Sequence, residues 1–277
     1  MEISWIESVI YGFIAGLTEI LPVSSHAHQN IMQSLFGLTD GLAFLRFSAS
    51  VGAFVAFLFS MWPLYGRMQR EYQISKTRSR NRSKKANMLY VFDWNIVKTA
   101  CIPLILGCLI YSAAIRWQSM VPVVSLLLVV NGFILHLPQH FAKGNKDSRT
   151  MSRLDGMLIG LASVLGYLPG ISRIAAVLSV SSLRGADGQQ SLKWSLLLSA
   201  PALMLALLVD IFAFMGSEVA APDSKFLIKL IVTAATSCIG TSVGIGMIKK
   251  ILTRNSAESF SYYCWGAALF SFILYLY

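Results

Sequence analysis

Six stretches of this chain are too long and too apolar for the exterior of a soluble fold. They run approximately 41–63, 97–115, 121–137, 191–214, 226–248 and 259–277. A helix needs roughly 20 apolar residues to cross the hydrocarbon of a bilayer. Within lipid every backbone polar group must be satisfied internally, which a helix does by itself. The chain is therefore read as an all-α polytopic membrane protein. Charged residues make up 13% of the 277 positions, against about a quarter in a soluble domain, and they cluster between the apolar runs.

Two further apolar regions, 3–37 and 154–183, are different. Pro22 interrupts the first and Pro169-Gly170 the second. Each half is short for a complete crossing, and broken backbone at membrane depth is tolerated only where protein or a wet cavity satisfies it. Both read as re-entrant helix–turn–helix hairpins. The charge pattern fits six crossings. The basic loop 64–96 carries eight Lys or Arg between Arg67 and Lys85, and basic residues recur in 139–153 and 249–258. Segment 215–225 holds Glu218 and Asp223 against Lys225. By the positive-inside rule the first three face the cytoplasm and the last faces outside, which leaves both termini outside. The order is then a hairpin and three spans (3–137) followed by a hairpin and three spans (154–277), an inverted repeat within one membrane domain of residues 1–277. Leu21-Pro-Val-Ser-Ser-His and Leu168-Pro-Gly-Ile-Ser-Arg fall at matching places in the two halves.

The net charge of +10 would suggest nucleic acid in a soluble protein. Here the cations sit in loops, and anionic lipid headgroups are the partner expected for the basic stretch 67–85; no nucleic-acid partner is expected. Glu2 and Glu7 give the N-terminus the wrong charge for a cleavable signal peptide. Cys101, Cys108, Cys238 and Cys264 lie in or beside apolar runs without a CxxC pair and read as small buried residues.

The polar residues at the two breaks carry the chemistry. Glu19 lies one turn before the first break, and an ionisable group at membrane depth is a functional hypothesis by default. His28 follows Ser25 by three residues, so its imidazole can approach the Ser25 hydroxyl, and a serine beside a base is the minimum for an activated nucleophile. The alternative is structural: Ser24 or Ser25 caps the second half-helix and His26 and His28 merely pack. At the second break, Gly170 permits close backbone approach, Ser172 can cap the next half-helix, whose free N–H groups favour an anion, and Arg173 suits bidentate phosphate contact. The alternative there is an ion pair between Arg173 and Glu19. For Arg46, Asn131, His136 and Asp210 a structural role is the simpler reading.

These motifs resemble the undecaprenyl-pyrophosphate phosphatase family, the bacitracin-resistance type of membrane lipid phosphatase. Its first motif, approximately E-G-L-T-E-F-L-P-V-S-S-T-G-H, corresponds to Ala15 through His28; its second, approximately P-G-T-S-R-S-G-A-T, corresponds to Pro169 through Val177. Lys193-Trp-Ser-Leu-Leu-Leu-Ser-Ala-Pro201 is similar to a third segment. The resemblance spans the chain. It implies removal of the terminal phosphate of undecaprenyl pyrophosphate at the outer face of the bacterial inner membrane, in the supply of cell-wall carrier lipid. It implies Ser25 as nucleophile and Glu19 and His28 as acid–base or metal-organising groups. It implies Ser172 and Arg173 as the pyrophosphate clamp; Gly170, Ser24 and His26, at the same breaks, are further candidates for contact with the phosphates. It also implies a divalent cation, Mg2+ or Ca2+, with Glu19 as a ligand. The chain departs from the pattern: the family's first glutamate is Ala15, and the hydroxyls around Ser172-Arg173 are replaced by Ile171 and Ile174-Ala-Ala-Val177. An attenuated relative that moves a polyprenyl phosphate across the bilayer is the alternative, since a central anion site within inverted repeats is what alternating access uses.

Overall fold

A computed structural model describes residues 3–38, 41–76, 89–141, 144–215, 223–252 and 257–276. Five of the eight basic residues of the stretch 67–85 lie outside these residues, as do Glu218 and the chain ends. Ten α-helices are present among the described residues: α1 (Trp5–Ile20), α2 (Ser25–Phe36), α3 (Leu42–Lys76), α4 (Leu89–Ala114), α5 (Val121–His136), α6 (Arg153–Leu165), α7 (Arg173–Leu183), α8 (Gly188–Met215), α9 (Ser224–Leu252) and α10 (Ala257–Leu276). Six of them, α3, α4, α5, α8, α9 and α10, are long and apolar enough to cross a membrane. This is an all-α polytopic membrane protein.

The remaining four helices form the two broken pairs, α1–α2 and α6–α7, with 16 and 12 residues in the first and 13 and 11 in the second. Each pair starts with the same device. Ser4 Oγ accepts the Glu7 N–H at 3.2 Å while Glu7 Oε2 accepts the Ser4 N–H at 2.7 Å. Ser152 and Asp155 repeat this reciprocal cap, at 3.2 Å and 2.9 Å. Such a box satisfies two otherwise unpaired donors of the first turn.

The packing is reciprocal between the halves. α1 lies along α9 and α6 along α4, while α5 packs on α10 and α3 on α8. Lipid tails are as apolar as the helices, so close approach through small residues and interhelical hydrogen bonds has to hold such pairs together. At the α1–α9 crossing a Cβ on Gly16 would strike the Ser237 backbone. Hydroxyls cross the same seam: Thr241 donates to the Gly16 carbonyl at 3.0 Å and Thr233 to that of Ser8 at 3.3 Å.

Asp93 at the head of α4 fastens the second span of the first half to α8, the first span of the second half. Its carboxylate is fully buried and accepts from Ser148, from Lys193 and, at 3.3 Å, from Trp194 Nε1. The Lys193-Trp194 segment thereby has a concrete structural task.

A candidate anion site between the two broken helices

The breaks at 21–24 and 166–172 meet inside the bundle. Ser172 Oγ donates to the Leu21 carbonyl at 3.3 Å and also accepts the Ala175 N–H at 3.4 Å, so one hydroxyl caps α7 and touches the other hairpin. Asn131 of α5 completes the junction. Its Nδ2 donates to the Pro22 carbonyl at 3.0 Å, and its Oδ1 accepts the Ser172 N–H at 2.8 Å. A single buried side chain thus satisfies one orphan backbone group on each broken helix, which is the condition for irregular backbone at membrane depth. Asn131 is fully buried. Sequence reading assigned it a structural role near a helix end; its place is the clasp of the two breaks. Gly170 sits at φ +110°, and a Cβ there would lie 2.5 Å from the Val124 carbonyl oxygen. The turn therefore demands glycine for conformation and for space.

Across this junction Arg173 faces Glu19, Nη1 to Oε1 3.5 Å, with side chains 8% and 15% exposed. The two motifs are therefore in direct contact. The pairing limits the cost of holding either charge at this depth. Arg173 Nε is buried without a partner, and its guanidinium lies 5.9 Å from the Tyr167 ring centre.

The serines and histidines are disposed less simply than their spacing predicts. Ser25 Oγ donates to the Ala15 carbonyl at 3.0 Å and accepts from Gln29 Nε2 at 2.9 Å, while Gln29 Oε1 accepts from the Tyr11 hydroxyl at 3.4 Å. His28 does not contact Ser25. Its Nδ1 is 2.9 Å from the Ser24 carbonyl and its Nε2 is 2.7 Å from the Tyr263 hydroxyl. A carbonyl only accepts, so Nδ1 carries the proton and Nε2 accepts from Tyr263. The basic nitrogen of His28 is thus turned to α10, away from the nucleophile candidate. Ser24 precedes α2 at φ +63°, the positive-φ residue other than glycine among those described, and its buried hydroxyl makes no cap and has no partner. Left-handed backbone on a non-glycine residue is strained, and such strain concentrates at functional sites. His26 stands in the first turn of α2 and is half-buried.

These residues do not form a cage for a divalent cation by themselves. Glu19 is the carboxylate at the junction and already faces a guanidinium, residue 15 is Ala, and no group of three or more His, Cys, Asp or Glu side chains suited to a metal ion occurs among the described residues. All four cysteines are free.

Gln29, Tyr11 and Tyr263 escaped sequence reading. Gln29 had a signal, since it stands four residues after Ser25 on one helix face. Tyr11 and Tyr263 reach the site only through tertiary packing.

Fold and site together define a polytopic membrane protein in which two broken helices present an arginine, a carboxylate and serine hydroxyls at one buried junction. The chain belongs to the family described as bacitracin resistance protein BacA, which matches residues 8–270. It is 29% identical over 280 residues to an undecaprenyl-diphosphatase of Renibacterium salmoninarum, covering 98% of this chain and 95% of the relative. It is 26% identical over 266 residues to one of Halothermothrix orenii, covering 96% of each.

Proposed function

We propose that this protein is a lipid diphosphate phosphatase that removes the terminal phosphate of undecaprenyl pyrophosphate at the outer face of a bacterial plasma membrane. The observation that carries this reading is the meeting of Arg173 and Glu19 across two breaks tied by Asn131. A phosphoryl group lodged there meets a guanidinium suited to its oxygens, and a carboxylate stands opposite. The names of the relatives point the same way. The reciprocal packing of the two sets of five helices supports an inverted repeat, and the loop charges by the positive-inside rule favour both termini outside.

Phosphoryl transfer depends chiefly on positioning and charge stabilisation. Ser25 Oγ, aimed by Gln29, attacks the terminal phosphorus. Glu19 takes its proton, because His28 is engaged with Tyr263. Arg173 turns from Glu19 to the phosphoryl oxygens and stabilises the charge that builds on them. The bond to the bridging oxygen breaks, the lipid monophosphate leaves, and water then releases phosphate from Ser25.

The purified protein should release phosphate from a polyprenyl pyrophosphate, and Arg173→Ala or Ser25→Ala should lower the rate at least about 100-fold. Absence of release across Mg2+, Ca2+ and metal-free conditions sinks the enzyme reading. Trans-bilayer movement of a polyprenyl phosphate that survives Ser25→Ala but not Arg173→Ala points to a transporter instead.

A further inference from the structure

Arg46 stands one turn into α3, where an arginine would ordinarily snorkel to water or pair with a carboxylate. It does neither. Its Nη2 donates to Asn30 Oδ1 at 2.6 Å, to Gln33 Oε1 at 3.2 Å and to the Gln118 carbonyl at 3.2 Å. All three acceptors are neutral, and no ion pair involves Arg46 among the described residues. Its positive charge is braced but not neutralised.

The polar atoms around it that lack partners are all donors. Arg46 Nε, Asn30 Nδ2 and Gln118 Nε2 are buried without a hydrogen bond. Asn30 is 1% exposed and Gln118 7%. Unpaired buried donors are rare in folded proteins and call for an explanation. An uncompensated guanidinium ringed by spare N–H groups, with no spare acceptor, is complementary to an anion.

This cluster is joined to the junction of the broken helices. Arg46 is held by Asn30, the residue after Gln29, and Gln29 accepts from the Tyr11 hydroxyl and donates to Ser25. Arg46 is therefore braced on the same helix that starts at Ser25, and Glu19 pairs with Arg173. A monophosphate ester can occupy one such cation, whereas a diphosphate can engage both.

We propose that Arg46, set by Asn30 and Gln118, is a second phosphate subsite that holds the phosphate of a lipid diphosphate not engaged by Arg173, and so distinguishes diphosphates from monophosphates. The proposal rests on the phosphatase reading for its substrate. It adds a physical route for product release, because the monophosphate product fills one subsite only.

The test measures binding of inorganic pyrophosphate and of inorganic phosphate to the detergent-solubilised full chain. Wild type, Arg46→Gln and Asn30→Asp are compared. Asn30→Asp keeps the shape of the side chain and pairs Arg46 with a carboxylate, so it tests the subsite even where Arg46→Gln fails to fold. Each variant should weaken pyrophosphate at least about tenfold, in line with loss of a charge-assisted contact, while phosphate changes less than about threefold. Unchanged pyrophosphate affinity in Asn30→Asp, or equal weakening of both anions, overturns the subsite. Phosphate release from a polyprenyl pyrophosphate by the wild type is measured alongside. Its absence counts against the phosphatase reading alone, whereas the pyrophosphate comparison judges Arg46 independently.

Discussion

At the scale of single residues, the site depends on side chains that satisfy backbone groups as much as on those that do chemistry. Asn131 is the clearest case. Replacing it by Ala leaves the Pro22 carbonyl and the Ser172 N–H buried without this partner, at a cost of about 2–4 kcal/mol from two unpaired groups. Asn131→Ala should lower the thermal midpoint and reduce phosphate release together; a variant with unaltered stability and rate would show that the clasp is dispensable. Sequence alone marked the ionisable residues, because Glu19 and Arg173 are out of place in apolar surroundings. It could not mark Asn131, since an asparagine in a span is uninformative until both breaks are seen to converge on it. It also misjudged His28, whose spacing from Ser25 fits a turn of helix but whose ring rotates to Tyr263.

At the scale of elements, the second hairpin is held at its base as well as at its break. Asp155 at the start of α6 accepts from Arg184 at the end of α7 at 2.5 Å, and from the Ser152 N–H and hydroxyl at 2.9 and 2.8 Å. Burial alone would raise this carboxyl, but the Ser152 bonds and the Arg184 cation outweigh it and hold the group below its ordinary range. A carboxyl depressed in the folded state adds stability above its unfolded value, about 3.9, and loses it as pH falls through the folded one. The thermal midpoint should therefore hold steady from neutrality to about pH 5 and decline below about pH 4, and Arg184→Gln should shrink that acid-side decline. An identical acid profile in the variant would remove this clamp from the account. The hairpins themselves were legible because Pro22 and Pro169-Gly170 cut runs that are otherwise apolar. The joins between elements were not, because Asp93, Ser148 and Lys193 are far apart in sequence and carry no local pattern.

At the scale of the whole molecule, six spans and two broken pairs bring two distant six-residue motifs to one place. The spans could be read from length and hydropathy alone, since the bilayer admits few alternatives. The meeting of the motifs could be expected from their matching places and from the offered Arg173–Glu19 pair, but its geometry could not, because it rests on the crossings of α1 with α9 and of α6 with α4. The central claim is that the two breaks work as one site, and a double-mutant cycle tests it most directly. Phosphate release from a polyprenyl pyrophosphate is measured for wild type, Glu19→Gln, Arg173→Gln and the double variant. Residues acting as a unit give grossly non-additive losses, so the double variant should be no more than about threefold slower than the worse single variant. Losses that multiply, as for independent positions, would contradict a single site shared by the two broken helices.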